Sequence, residues 1–148
     1  MSGISRWQAV QAYGFRPFFI MLPAYIAVSI ILWGLVLSGR LPLFFTGQVL
    51  DWHIYEMLYG IASAGIAGFI LTAIPEFYGK TKPLSGKPLL GLAALWLVGR
   101  LSFWAIDGLG VGLVALTNLP FMLWVILLVA PPVFSDPSRK HVSLALVF

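Results

Sequence analysis

Four apolar runs dominate this chain, and each is long enough to cross a bilayer as a helix, which takes about 20 residues. They extend from Phe18 to Leu37, Trp52 to Ile74, Leu89 to Ile106 and, approximately, Val111 to Val133. Strand-like alternation is absent, and barrel strands would be much shorter. Inside a membrane each backbone N–H and C=O must be satisfied within the segment, so these runs predict helices. The composition agrees: 60% of the residues are hydrophobic and only 9% are charged, more apolar than a soluble domain of this size requires. The expected fold is an all-α membrane protein, one domain over residues 1–148 built as a bundle of four transmembrane helices. A last apolar run, Val142–Phe148, is too short to span and reads as a truncated fifth helix or as a short amphipathic tail.

The first run is a retained helix rather than a signal peptide. Its apolar stretch is long, and it ends in Leu37-Ser38-Gly39-Arg40 with no small-x-small cleavage pattern. Charge then sets the orientation. Arg6, Arg16, Lys80, Lys82, Lys87, Arg139 and Lys140 fall on the side of the N-terminus, whereas the loops of the other side hold only Arg40. The positive-inside bias places the N-terminus in the cytoplasm. The net charge of +4 is thus topological, and nothing points to nucleic acid. There are no cysteines, which removes disulfides, thiolate metal sites, iron–sulfur clusters and c-type haem attachment.

The second run opens with Trp52-His53-Ile54-Tyr55-Glu56-Met57-Leu58-Tyr59-Gly60, an ionisable pair in an apolar helix. Charges below a bilayer surface are costly and normally serve a site or a partner. His53 and Glu56 are one turn apart on one face. At 1.5 Å of rise per residue, Glu56 lies roughly 6 Å below the outer surface, Arg100 roughly 9 Å and Asn118 roughly 10 Å. Three polar residues from three helices therefore share one leaflet. The expectation is that Glu56 pairs with Arg100, with Asn118 and His53 as further members. The competing reading lets Arg100 snorkel to the headgroups along its stem. Small residues at Gly60, Ala64 and Gly68 continue the same face; they allow close helix packing or offer a flat surface to a planar macrocycle.

His53 is either an interfacial hydrogen-bonded histidine or a metal ligand through its neutral imidazole. Met57 stands one turn below it. A zinc or copper centre needs several ligands in fixed geometry, and His141 is expected a membrane thickness away. Trp7, Trp52 and Trp104, near helix ends, read as belt residues. No nucleophile–base pair or phosphate loop is present, so the sequence names no reaction.

Four stretches carry a family likeness: Tyr13-Gly14-Phe15-Arg16-Pro17-Phe18-Phe19, Trp52 to Gly60, Ala67-Gly68-Phe69-Ile70-Leu71-Thr72-Ala73-Ile74-Pro75, and Leu84-Ser85-Gly86 through Leu95-Trp96-Leu97-Val98-Gly99-Arg100. In that order they resemble the NnrS family of bacterial inner-membrane proteins, described as binding haem and copper and acting in nitric-oxide metabolism, denitrification and nitrosative-stress response. The resemblance implies haem b or copper as cofactor, with His53 as metal ligand and Met57 and Tyr55 beside it. It also implies nitric oxide as a ligand. In the family's motif a histidine commonly stands where this chain has Tyr55, and tyrosine can itself ligate haem iron. The family is longer, so further helices or subunits would be partners along with the lipid bilayer. Two other functions stay open: a transport or ion-conducting module using Glu56 and Arg100, and an inactive truncated fragment.

Overall fold

A computed structural model of the chain describes residues 6–43, 45–79, 81–138, 140 and 142–145. Lys80, Arg139, His141 and the last residues of the final apolar run, which carried parts of the topology reading, lie outside the described residues. The elements are α1 (Arg6–Val10), α2 (Phe15–Leu37), α3 (Val49–Phe77), α4 (Gly86–Trp104), α5 (Ile106–Phe134) and the short α6 (Val142–Ala145), with no strand among the described residues. Within α3, Glu56–Ala62 is wound as a π-helix between two α-helical stretches.

α2, α3 and α5 are each long and apolar enough to cross a membrane. The third expected span, α4, is helical over 19 residues but falls outside that group, because Lys87 and Arg100 within it reduce its apolarity. The boundaries also move. α2 begins at Phe15, ahead of the expected Phe18. Pro17 falls in its first turn, where it removes no intrahelical bond, and the Phe15 N–H donates to Thr72 Oγ1 of α3 at 3.0 Å. α4 and α5 are separated by Ala105 alone. The expected loop is instead one helical turn closed by Gly110, whose φ of +75° suits glycine. The long part of α5 thus starts at Val111.

The helix ends are tied together. At the end that holds Arg16, Lys82 and Lys87, the Gly86 N–H donates to Gln11 O at 2.9 Å. There Arg16 donates to Ala9 O at 2.5 Å and lies over the Tyr13 ring at 5.0 Å. At the opposite end Asp107 accepts from the Thr46 N–H at 2.7 Å and the Thr46 hydroxyl at 3.0 Å. Around that end Phe45, Trp52, Phe103 and Val114 form a small aromatic core. The larger core, at the basic end, joins Phe18 of α2, Ile70 and Ile74 of α3, Leu89, Leu92 and Trp96 of α4, and Val125 and Val133 of α5.

The small-residue face of α3 is consumed by this packing. A Cβ placed on Gly68 would sit 2.9 Å from Phe19 and 3.1 Å from Phe18, and Ala64 and Ala67 are buried. The flat surface expected for a planar macrocycle is therefore covered by α2, because glycine lets the two backbones approach.

Candidate functional site

Arg100 is the hub of a buried polar network. It projects from α4, 2% exposed, and its Nη1 lies 3.6 Å from Glu56 Oε2 on α3, whose side chain is 1% exposed. Its Nη2 donates to Tyr55 Oη at 3.0 Å and to Asn118 Oδ1 of α5. The Asn118 amide in turn donates to Val114 O at 2.7 Å. Each partner compensates a charge that the hydrocarbon would otherwise leave bare. Glu56 Oε1 and Arg100 Nε and Nη1 have no hydrogen-bond partner among the described residues. Arg100 thus points inward to Glu56, Tyr55 and Asn118 instead of snorkelling.

Local sequence explains why these groups can meet. A Cβ on Gly60 would fall 2.7 Å from Glu56 Oε2, 3.0 Å from the Tyr25 ring and 3.2 Å from Arg100 Nη1. Only glycine leaves that space open. Gly99 does the same for Asn118, whose Oδ1 would be 2.6 Å from an added Cβ. The π winding begins at Glu56 itself. Such bulges frequently mark functional positions in helices. Trp96 of α4 braces the wound segment by donating to Gly60 O at 3.0 Å.

Tyr25 of α2 was assigned no role from sequence, yet its phenol donates to Glu56 Oε2, and its ring meets Trp96 edge-on at 5.2 Å. A signal for it existed. Tyr25 is roughly 15 Å along α2 from Phe15, too deep for a belt residue. Ser102 and Thr117 were missed as well. Their hydroxyls lie 2.6 Å apart and join α4 to α5 beside Asn118.

His53 stands apart from the network it was expected to complete. Its ring stacks on Trp33 of α2 with centroids 3.9 Å apart and planes at 9°, and it is half-buried. Tyr55 turns the other way. It stacks on Phe103 of α4 at 3.8 Å, donates to Gly99 O at 3.3 Å and lies under the Arg100 guanidinium. The two side chains are two residues apart on a helix, so they point to different neighbours. Met57 is half-buried in the next turn. The phenol that stands at a family histidine position is thus occupied as an arginine partner.

The donor set can be tested against the implied cofactors. Among the described residues no three His, Cys, Asp or Glu side chains come together as a metal-binding group. A copper centre built from three such side chains is therefore not formed among the described residues, and His53 with Met57 one turn on is the donor pair that these helices offer. One half-buried imidazole, that of His53, is the group here that could help to hold a haem.

The chain matches the family model described as NnrS protein over residues 9–148, and it belongs to that family. Comparison with curated proteins and with solved structures finds no match.

Proposed function

We propose that the chain is a multi-pass component of a bacterial inner membrane, N-terminus cytoplasmic, acting in nitric-oxide metabolism or the response to nitrosative stress. In this reading His53 would help to hold haem b, and further helices or other subunits would supply the rest of its site. Haem iron, when bound, supplies the redox and small-ligand chemistry. The residues of this chain then do two things. Trp33 fixes the plane of the His53 ring, and one turn further in Arg100 holds the Glu56 carboxylate and Asn118 in place. The observation that carries the reading is the Trp33-stacked imidazole one helical turn from a buried, compensated carboxylate in a member of this family.

The test is the visible spectrum of the purified protein. A Soret band that disappears in His53→Ala, with helix content retained, is the expected result. Folded protein with neither haem nor copper overturns the proposal. A second reading, ion or proton transport, is favoured by the unpartnered Glu56 Oε1 deep in the bundle. It predicts flux into liposomes that Glu56→Gln abolishes.

A further inference from the structure

A cavity of about 260 Å³ opens at the basic end of the bundle, well away from the polar network. Its walls are Ile74 and Pro75 of α3 and Leu128 and Val129 of α5. Its mouth carries Lys82 and Ser85 from the segment that leads into α4. Leu71 also lines it, six residues before the end of α3, so the cavity reaches roughly 9 Å below that helix end. We propose that this slot binds one anionic phospholipid, with the headgroup phosphate at Lys82 and the first methylenes of an acyl chain between α3 and α5.

The chemistry of the two ends of the slot argues for a lipid over a soluble ligand. Leu71, Ile74, Pro75, Leu128 and Val129 are apolar and lie on helices of spanning length, so an acyl chain gains by filling the space between them. The mouth is polar and positively charged. Basic pockets between helices at a membrane surface suit anionic headgroups. Ser85, which precedes the first turn of α4 without capping it, leaves its hydroxyl at that mouth.

The two nearby acids line other grooves, although that of Asp136 adjoins the slot at Thr81. The Asp136 carboxylate accepts from the Ser138 N–H at 3.0 Å and the Ser138 hydroxyl at 2.6 Å, and it lines a neighbouring groove with Tyr78. Glu76 lines a different groove, together with Phe69 and Phe77. Lys87 is exposed at the same end but outside the cavity, which makes it the natural comparison.

The experiment is native mass spectrometry of the protein released from micelles containing equal phosphatidylglycerol and phosphatidylcholine. Phosphatidylglycerol is expected to be retained in preference. Lys82→Gln should cut its retention about tenfold, and Lys87→Gln by less than about twofold. Leu128→Trp, which fills the slot, should lower retention of both lipids. Lys82→Gln changes only an exposed side chain, so the test stands even where the tryptophan variant fails to fold. Diffuse attraction, worth about 1 kcal/mol per charge or about fivefold, would make the two lysine variants equal. Equal losses, or equal retention of the two lipids in the parent protein, overturn the proposal.

Discussion

Replacing Arg100 by methionine tests the buried network directly. The change keeps much of the side-chain volume but removes the contact to Glu56 at 3.6 Å, the bond to Tyr55 at 3.0 Å and the bond to Asn118. Two magnitudes compete. If only hydrogen bonds mattered, two bonds at about 0.6 kcal/mol each within a membrane would make about 1 kcal/mol. Removing one partner of a buried ion pair costs about 3–5 kcal/mol, because the other charge is left bare. Glu56 is 1% exposed, so the larger figure applies and the folding equilibrium should fall by roughly 150- to 4,000-fold. Glu56→Gln keeps an acceptor for Tyr25 and removes the charge, so the double variant should regain about 2 kcal/mol of the loss. Unfolding in mixed micelles, followed by tryptophan fluorescence and by circular dichroism, gives both numbers. A loss under about 1 kcal/mol for Arg100→Met, or strict additivity in the double variant, refutes the reasoning.

Two further outcomes follow from close contacts. Gly60→Ala places a methyl 2.7 Å from Glu56 Oε2 and should destabilise by about 1–3 kcal/mol. Gly79→Ala, which meets nothing within 4 Å, should leave the same melting curve unchanged. Thr72→Val removes the acceptor of the Phe15 N–H; a cost of about 1 kcal/mol should appear as roughly fivefold faster hydrogen exchange at the Phe15 amide.

What could be read from the sequence follows from fixed quantities. Helical rise is constant, so counting residues from the helix ends was enough to put Glu56, Arg100 and Asn118 at one depth. The cost of a bare charge in hydrocarbon then supplied the reason for Arg100 to turn inward. Azimuth is less constrained. Nothing in the order of residues tells that Tyr55 faces Arg100 while His53 faces Trp33, because that depends on which helices lie on either side. Tyr25 was invisible for the same reason, although its depth was countable. The short turn at Ala105 was hidden because Gly108 and Gly110 read as loop, and only one of them has positive φ.

The π-wound turn from Glu56 to Ala62 acts as a phase shifter between the two halves of α3. One extra residue in a helix rotates everything beyond it by about 100°. Heptad or 3.6-residue patterns therefore cannot be carried across it, although both halves pack on α2, the outer one through His53 on Trp33 and the inner one through Gly68 at Phe18 and Phe19. Gaining or losing one residue at this joint would turn Trp52 out of the small aromatic core together with His53 and Glu56. The number of residues in this turn therefore sets where the whole outer half points, while the basic end of the bundle is fixed by its own packing.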